Sequence, residues 1–553
     1  MKKNFYDFAI KKSSRSLSRT LSDSTKINAL PWLLLITAIG AVLRLYHLGQ
    51  ASLWYDEANT IVFTNYVWHP LDLINIDKNT DPALFIVFTW AWKNFILLFW
   101  SFKPGSISYD FVLRFLPCLF GIACIPVVFF ACKSVLKIGK ASRGAEQVCS
   151  DNVAALIAAT LVAISPFHLF YAQELRNYSL FTLLGTLVLW SLANALRKNS
   201  HWNFAILGLL LSLSFWNHFF SFWLFVVVDI LIVLHFGFSV RYYFKWIFWH
   251  SISLLLCLPA IHQAYGVTQI VNGIKGQWMP APDYKTAFIT FKAFFAGYSP
   301  YAWAYWPLFL IAFILFFYGL YVIRKNCKAA LLLLLWTWFP IIACVLIWRA
   351  RDFSYYEIRL FLCSAMAASM GVAIGLSRIP HRPRAILLLL ICLLTLPSLK
   401  AHYNNQIHPL QHHRLAVRHK VDNRDAAAYV GTHVEPGELI AHFSHVTMQP
   451  FRIYQPGLLQ KHIVLTEDGI QGFLNAYPNE PMWRELELVP ELIEDAVGSR
   501  DSVWLVISWW EAFEIPPSAD DILNWFNSRF SVMEIEEFTG IKVVHFKRLS
   551  PQG

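Results

Sequence analysis

Charged residues are scarce in this sequence. Asp, Glu, Lys and Arg make up only 15% of the 553 residues, and 56% are hydrophobic. A soluble domain carries roughly 25% charged residues. The scarcity of charge excludes an ordinary soluble protein and indicates a polytopic α-helical membrane protein. Aromatic residues, which favour membrane interfaces, are abundant at 16%.

Several other features are missing. All nine cysteines lie between Cys118 and Cys392, and none has the spacing of a metal site, so we expect no disulfide framework. No internal repeat is present, although paired halves are typical of transporters. The region from about residue 402 to the C-terminus lacks a glycine-rich phosphate fingerprint. The basic N-terminus leads into an apolar run long enough to span, which predicts that it is not a cleavable signal peptide.

The net charge of +11 does not indicate nucleic-acid binding, because the basic residues form short clusters between apolar segments. Membrane topology and contact with anionic membrane lipids explain such clusters. The positive-inside rule places all six in the cytoplasm. The clusters are residues 2–26, 133–143, 197–198, 241–245, 324–328 and 378–384.

Apolar runs predict eleven spans, so a chain that starts inside ends outside. The spans are expected near 28–46, 111–137, 152–171, 176–196, 203–217, 219–237, 245–264, 303–323, 329–348, 357–377 and 385–401. Residues 82–100 are also long enough to cross, but a crossing there would put the basic loop at 133–143 on the wrong side. We interpret 82–100 as a juxtamembrane or re-entrant helix, with a true span as the alternative.

The chain therefore divides into three parts. Residues 1–27 form a basic cytoplasmic N-terminus, and 28–401 form the transmembrane part with outer loops at 47–110 and 265–302. Residues 402–553 are richer in charge and predict an extracytoplasmic α/β domain. Its predicted helices are 422–433 and 519–529; its predicted strands are 439–443, 463–466, 503–507, 531–538 and 541–546.

Asp56 and Glu57 follow the first span, which ends near Arg44, and Arg44 is a further candidate site residue. An ionisable group beside the membrane suggests a functional site. The alternative is that both carboxylates only cap and charge the first turn of an interfacial helix. Further acidic or basic groups collect on the same predicted outer face, and chemistry is therefore expected there.

The turn between two spans holds Gln173, Glu174, Arg176 and Tyr178. Charged groups at this depth predict a turn that faces water or a cavity. The guanidinium of Arg176 offers a fork of donors suited to a phosphate. The alternative is a Glu174–Arg176 pair that only anchors the hairpin.

A second outward stretch contains Arg349, Arg351, Tyr356 and Arg359. Three outer arginines are atypical for topology, and anionic substrate binding explains them; contact with lipid headgroups is the alternative. Asp81, before Pro82, is expected to cap the helix that follows, and it also qualifies as a second acid in the site.

Five histidines between His402 and His419 show no convincing metal spacing, and a solvated linker is the simpler interpretation. Asp229 and His218 lie in or beside spans and are expected to make hydrogen bonds within the bundle.

Five motifs, in this order, resemble the GT-C glycosyltransferases, and in particular the bacterial branch of the protein O-mannosyltransferase clan, which includes aminoarabinose and galacturonic acid transferases. The motifs are LRLYHLGQASLWYDEA, DPALFIVFTWAW, LRFLPCLFG, SPFHLFYAQELRNYSL and YYEIRLFL. The resemblance covers roughly residues 28–400. It implies a polytopic GT-C membrane enzyme in the inner (plasma) membrane with an extracytoplasmic site.

The resemblance also implies a function. The donor would be a polyprenyl-phosphate sugar, and the acceptor a lipid, glycan or protein hydroxyl. Asp56 matches the acidic residue placed as catalytic base, with Glu57 as its companion, and Arg176 and Arg359 match basic positions near the donor phosphate. Family members commonly carry His-Pro-Pro or Lys-Pro-Pro where this chain has Asp81, Pro82 and Ala83. Some relatives need a divalent metal and others do not, so the resemblance leaves a metal open.

Two other classes fit parts of the sequence. Outer arginines and acidic pairs also suit the gate of a transporter or flippase of lipid-linked glycans. A receptor or assembly subunit would instead work through the C-terminal domain. The missing repeat and the one-sided charged motifs favour an enzyme over a transporter. With a lipid-phosphate donor, one direct displacement in which a phosphate leaves and a carboxylate accepts a proton would make it an inverting transferase.

Overall fold

The computed structural model describes residues 28–139, 145–237, 240–273, 281–351, 354–406, 420–476, 479–508 and 517–549. The predicted cytoplasmic N-terminus, residues 277–280 of the predicted outer loop and the histidines between 408 and 419 lie outside the described residues.

The N-terminal three quarters of the described chain is helical. The α-helices are Ala29–Leu45, Tyr55–Phe63, Pro70–Ile74, Ala83–Leu97, Ile107–Leu136, Ala145–Ile164, Pro166–Ala172, Tyr178–Lys198, His201–Asn217, Phe222–Phe236, Val240–Gly273, Tyr284–Ala296, Ala302–Val322, Cys327–Arg351, Leu362–Ser377 and His381–Tyr403. Short 3-10 helices cover Thr64–Trp68, Phe219–Ser221 and Ile358–Phe361.

Eight helices in the described part are long and apolar enough to cross a membrane, and a pair that bends by 57° between Ile164 and Pro166 would make a ninth. These coincide with nine of the predicted spans. The other two predicted spans, at 28–46 and 203–217, correspond to helices of 17 residues each. The segment at 82–100 forms a shorter helix, Ala83–Leu97. The length and apolar composition of these helices identify the chain as an integral membrane protein.

The predicted outer loop at 265–302 is shorter than expected. Helix Val240–Gly273 continues past 264, and a further helix, Tyr284–Ala296, lies within the predicted loop. Helix 240–273 continues because residues 264–273 contain no proline, and Thr268 donates its hydroxyl to the Ala264 carbonyl at 2.8 Å.

The basic connectors meet at one end of the bundle. Lys245 Nζ donates to the Asn199 carbonyl at 3.0 Å, and Lys328 Nζ donates to the His235 carbonyl at 3.1 Å. Helix Tyr178–Lys198 runs from the predicted site turn to this basic end over 21 residues, which is about 30 Å at 1.5 Å per residue. The predicted site turn and the connectors that carry Lys245 and Lys328 therefore lie at opposite ends.

The C-terminal region, residues 420–549, contains one six-stranded mixed sheet. Its strands are β1 (Leu439–His442), β2 (Gln460–Val464), β3 (Glu491–Leu492), β4 (Ser502–Ser508), β5 (Phe530–Phe538) and β6 (Ile541–Arg548), in the order β3-β2-β1-β4-β6-β5. The first four are parallel, and β6 pairs antiparallel with both β4 and β5. Its helices are Asn423–His433, His445–Tyr454, Glu467–Ala476, Glu480–Glu485, Ile493–Val497 and Pro517–Asn527.

The predicted strands and the closing hairpin are confirmed to within a few residues, because alternating and buried apolar runs are local signals. The helix expected at 422–433 begins at Asn423. Asp422 caps it by accepting a hydrogen bond from the Asp425 amide at 3.3 Å.

Candidate active site

A cavity of about 790 Å³ opens at the end of the bundle that carries the C-terminal region. One part of its wall is charged, with Asp56, Asp81, Arg176, Glu357 and Arg359. Much of the remaining lining is aromatic and apolar, with Phe215, Phe219, Phe220, Phe222, Trp223, Ile261, Tyr265 and Ile347. This combination suits a ligand with a charged head and an apolar chain.

Each charged group of the cavity sits at a break between helices. Asp56 lies in the first turn of helix 55–63, Asp81 precedes helix 83–97, and Arg176 lies between Ala172 and Tyr178. Glu357 and Arg359 lie at the short 3-10 helix before Leu362. Irregular backbone at membrane depth is tolerated where it lines a cavity, so the breaks explain why the polar groups converge here.

Asp56 presents a partly exposed carboxylate to the cavity, with 25% of its side chain accessible. Its Oδ2 lies 3.9 Å from Arg359 Nη1. Its backbone carbonyl accepts hydrogen bonds from Thr60 Oγ1 at 3.0 Å and from Arg176 Nη1 at 3.2 Å. The structure therefore brings together the three residues on which the sequence-based hypothesis depended.

Arg176 forms a two-pronged ion pair with Asp81. Nη1 donates to Oδ2 at 2.5 Å, and Nη2 donates to Oδ1 at 3.2 Å. The expected cap is wrong: helix 83–97 begins after Pro82, and no side chain caps it, because the Asp81 carboxylate is taken by the guanidinium. The alternative, a Glu174–Arg176 pair that anchors the hairpin, is also wrong, because the Arg176 guanidinium pairs with Asp81. Asp81 and the charge of Asp56 raise the pKa of Arg176 despite its burial.

Arg359 is held from two sides. Its Nε donates to Glu357 Oε2, and its guanidinium carbon lies 5.3 Å from the centre of the Tyr178 ring. Glu357 and Tyr178 both line the cavity. Since Asp56 faces the same guanidinium, Arg359 is positioned between two carboxylates at the cavity wall.

Glu57 points the other way, into the protein. Its carboxylate accepts hydrogen bonds from Arg114 Nε at 2.7 Å, from Arg114 Nη2 at 2.6 Å and from the Leu175 amide at 2.7 Å. Both side chains of the pair are fully buried. Burial alone would raise the pKa of Glu57, but the charges of Arg114 and Lys420 and these hydrogen bonds outweigh it and lower the pKa to about 2. Glu57 also accepts from the Trp54 amide at 3.3 Å, which caps helix 55–63 as the alternative interpretation expected.

Glu174 is buried behind the cavity wall, 3.8 Å from Lys420. Burial raises the pKa of Glu174 to about 7, because Lys420 only partly offsets the desolvation and Glu57 adds a like charge. Gln173 donates to the carbonyls of Arg44 and Tyr46 at 2.8 Å each. These contacts fasten the turn to the end of the first helix.

The remaining predicted site residues do not line the cavity. Arg44 is fully buried and donates to backbone carbonyls at the end of helix Ala145–Ile164. Tyr356 is buried, with its hydroxyl 2.5 Å from that of Thr290. Arg351 is exposed at the end of its helix. Of the three outer arginines, only Arg359 lines the cavity.

Several contributors to the site were not predicted from the sequence. His445 and Val446, at the start of a C-terminal helix, line the cavity, and no local pattern marks them. Arg114, which holds Glu57, is a charged residue inside a largely apolar helix that also contains Asp110, and that signal was available. His218 also lines the cavity, and its Nδ1 accepts from the Phe220 amide at 3.2 Å.

The residues present do not fit a metal site. In the part of the chain that the structure describes, no three His, Cys, Asp or Glu side chains are grouped to hold an ion. The cavity carboxylates face guanidinium groups instead: Asp81 faces Arg176, and Asp56 and Glu357 face Arg359.

No family model and no curated protein matches the chain. Two solved structures of ArnT from Cupriavidus metallidurans are similar to it. The apo structure aligns with a TM-score of 0.59 and 10% identity, over 94% of this chain and 98% of that chain. The structure bound to undecaprenyl phosphate aligns with a TM-score of 0.57 and 11% identity, over 93% and 98%. At such identity the similarity concerns the fold. The chain has the GT-C fold, as predicted, with a C-terminal α/β region.

Proposed function

We propose that this GT-C-fold protein is an inverting membrane glycosyltransferase, which moves a hexose or pentose from a polyprenyl-phosphate donor to a hydroxyl of a lipid, glycan or protein. The observation that carries the proposal is the meeting of Asp56, Arg176 and Arg359 on one wall of an amphipathic cavity. These residues come from three separate segments, and an acid next to two guanidinium groups suits transfer from a phosphate leaving group.

The donor phosphate would bind at Arg359 and Arg176. A guanidinium presents several donors in a plane and matches phosphate oxygens. Arg176 and Arg359 line the cavity with 11% and 14% of their side chains accessible, so both can meet a ligand there. The fold similarity to an ArnT structure solved with undecaprenyl phosphate supports a lipid phosphate as ligand.

The polyprenyl chain would lie along the aromatic and apolar part of the lining. Phe222, Ile261 and Tyr265 line the cavity and are 42%, 39% and 64% exposed. These side chains offer accessible apolar surface, which a lipid tail can cover.

Asp56 would act as the catalytic base. The acceptor oxygen attacks the anomeric carbon, its proton passes to the Asp56 carboxylate, and the bond from that carbon to the phosphate oxygen breaks. The lipid phosphate then leaves with its charge stabilised by the guanidinium groups. No general acid is required because a phosphate is already a weak base.

One displacement inverts the anomeric centre. Retention would require a carboxylate nucleophile close to a second carboxylate. Asp81 and Glu357 are each paired with a guanidinium, which disfavours both as nucleophiles. Glu57 is proposed to act at a distance, by holding Arg114 and the turn at Leu175, and Arg351 and Tyr356 have no proposed contact with substrate.

The reaction is proposed to occur on the extracytoplasmic side of the inner (plasma) membrane. The basic connectors gather at the opposite end of the bundle from the cavity, and the positive-inside rule would place that end in the cytoplasm.

The base is tested by Asp56→Asn in purified full-length protein with labelled polyprenyl-phosphate sugars. We expect kcat to fall by roughly 10²- to 10⁴-fold, as for removal of a general base. Asp77→Asn is the matched control, because Asp77 is exposed in the same segment and does not line the cavity. Activity of Asp56→Asn equal to the control would refute the assignment.

The phosphate site is tested by Arg176→Ala and Arg359→Ala. Each should raise the KM for donor about 10- to 100-fold, because a hydrogen bond to a charged group contributes about 1.5–3 kcal/mol. Arg382→Ala is the control, since Arg382 is exposed at the opposite end. A KM for donor equal to the wild-type value in both variants would refute the proposal that Arg176 and Arg359 bind the phosphate.

A flippase of lipid-linked glycans is the competing function, and the same preparation distinguishes it. Transfer in detergent needs no sealed compartment, and NMR of the product gives the anomeric configuration. Transport in vesicles with no transfer in detergent would contradict the proposal, as would a retained configuration.

A further inference from the structure

The loop that leads into the first turn of helix 55–63 is held through its backbone. The carbonyls of residues 49–53 all accept hydrogen bonds from side chains that are distant in sequence. A loop normally satisfies such groups with water or with its own turns. Here every carbonyl of a five-residue run is taken by a guanidinium or an amide.

The C-terminal region supplies three of these five bonds. Arg424 Nη1 donates to the Gly49 carbonyl at 2.9 Å, and its Nη2 donates to the Gln50 carbonyl at 2.6 Å. Asn423 Nδ2 donates to the Leu53 carbonyl at 3.0 Å. The Leu53 amide in turn donates to the Tyr454 hydroxyl at 2.6 Å.

Arg114 from the membrane bundle supplies the other two. It donates to the carbonyls of Ala51 and Ser52 while it pairs with Glu57. The loop is therefore clamped between the bundle on one side and the C-terminal region on the other.

Asp110 connects these two sides. Its Oδ2 accepts from Arg424 Nη1 at 2.9 Å and from the Tyr454 hydroxyl at 2.8 Å. Ser52 adds a further link, since its hydroxyl donates to the Val421 carbonyl at 2.6 Å and accepts from the Asn423 amide at 2.9 Å. The groups that hold the loop are thus themselves fixed by a buried network.

The loop of residues 49–53, whose carbonyls are held in this way, ends three residues before Asp56. Among the described residues, the Asp56 carboxylate is oriented only by a 3.9 Å approach to Arg359, so its location depends on where its backbone is held. A displacement of about 1 Å at a reacting group is enough to cost orders of magnitude in rate.

From these contacts we propose that Asn423, Arg424 and Tyr454 of the C-terminal region are positioning residues for Asp56. The C-terminal region is then part of the catalytic centre, although no reacting group comes from it. This inference rests on the proposed function, in which Asp56 is the base. It also means that deleting residues 405–553 would remove the clamp together with any receptor role of that region.

The test compares Tyr454→Phe with Tyr429→Phe in the full-length protein. The first removes the hydroxyl that accepts from the Leu53 amide; the second removes a hydroxyl of the same region whose ring packs against Trp504 and Phe538, away from the loop. Arg424→Lys keeps a cation beside Asp110 but cannot reach both carbonyls. Kinetics with a polyprenyl-phosphate sugar and hydrogen exchange of the peptide covering residues 48–57 are measured for each.

We expect Tyr454→Phe and Arg424→Lys to lower kcat at least 10-fold with the donor KM within about twofold, and to speed exchange selectively in that peptide. Tyr429→Phe should change neither. The inference is overturned if Tyr454→Phe matches Tyr429→Phe, or if it speeds exchange and lowers Tm throughout the protein. Should the wild-type protein transfer no sugar, the proposed function fails, whereas the exchange comparison still decides whether these side chains hold the loop.

Discussion

Two buried carboxylates behind the cavity wall have opposite titration properties. Hydrogen bonds and the charge of Arg114 outweigh burial at Glu57 and lower its pKa to about 2. Burial dominates at Glu174 and raises its pKa to about 7. Both lie close to Lys420, whose pKa is lowered by burial. The contributions of the two residues to folding stability therefore change with pH in opposite directions, although both side chains are buried.

Glu57→Gln should destabilise the protein strongly, because it leaves the Arg114 guanidinium buried without its counter-charge. The expected cost is about 3–5 kcal/mol, as for removal of one partner of a buried pair. The folded pKa lies below the ordinary value of 4.5, so the contribution is present above pH 4.5 and is lost as pH falls toward 2. Thermal unfolding in detergent should show a Tm gap at pH 7 that narrows below pH 4.5. A gap independent of pH would contradict this account.

Glu174→Gln should show the reverse trend. A carboxyl whose folded pKa is raised favours the folded state at low pH, and this contribution is lost as pH rises from 4.5 to about 7. The Gln variant has no carboxyl at this position and does not lose this stabilisation. The Tm of the variant minus the Tm of the wild type should therefore rise between pH 4.5 and pH 7.5. The two Gln variants are controls for each other, since a general detergent effect would move both in the same direction.

At the scale of helices, one contact depends on glycine. Helices Ala302–Val322 and Leu362–Ser377 approach so closely that a Cβ on Gly375 would lie 2.2 Å from the Leu315 carbonyl oxygen. A Cβ on Gly319 would lie 2.2 Å from the Gly371 carbonyl oxygen. Small residues four apart allow such approach in membranes. This contact positions the helix that directly follows Arg359.

Gly375→Ala should push the two helices apart, since the added methyl meets backbone that cannot rotate away. The cost should be about 1–3 kcal/mol of stability, as for other overpacked contacts. The donor KM should also rise, because Arg359 lies in the 3-10 helix directly before the displaced helix. Gly472→Ala is the control, because a methyl group added there would have no other atom within 4 Å. Equal Tm values for the two variants would show that the helices tolerate separation.

At the scale of the whole molecule, the basic connectors and the cavity lie at opposite ends. The connectors that carry Lys245 and Lys328 meet at one end, and the cavity and the C-terminal region lie at the other. Among the nine cysteines, Cys327 is exposed beside this basic end, and the others are buried or half-buried. The native thiols therefore report on one side of the membrane.

Labelling with a membrane-impermeant maleimide tests the proposed orientation. In intact cells, Gln471→Cys should react, since residue 471 is exposed in the C-terminal region, and Cys327 should not. Both should react after permeabilisation, which serves as the control for reactivity. Labelling of Cys327 in intact cells with Gln471→Cys protected would reverse the orientation.

Much of the fold was predictable because its signals are local. Apolar runs located the spans, and β-type patterns located five of the six strands; β3, only two residues long, was not predicted. The candidate residues Asp56, Asp81, Arg176, Tyr178 and Arg359 all line the cavity. The partners of these residues were not predictable, since Asp81 and Arg176 are 95 positions apart and meet only in the folded chain.

The sequence by itself determined that this is a helical membrane protein with charged groups gathered between spans, because the length of an apolar run and the position of a charge are properties of the chain alone. Only the tertiary structure decided which of two adjacent carboxylates reaches the cavity. Successive residues point about 100° apart around a helix of 3.6 residues per turn, so Asp56 faces the open space while Glu57 faces Arg114. The hydrogen bonds from the C-terminal region to the loop before Asp56 were likewise decided by folding. They are accepted by backbone carbonyls, which every residue possesses, so no residue type in the loop marks them.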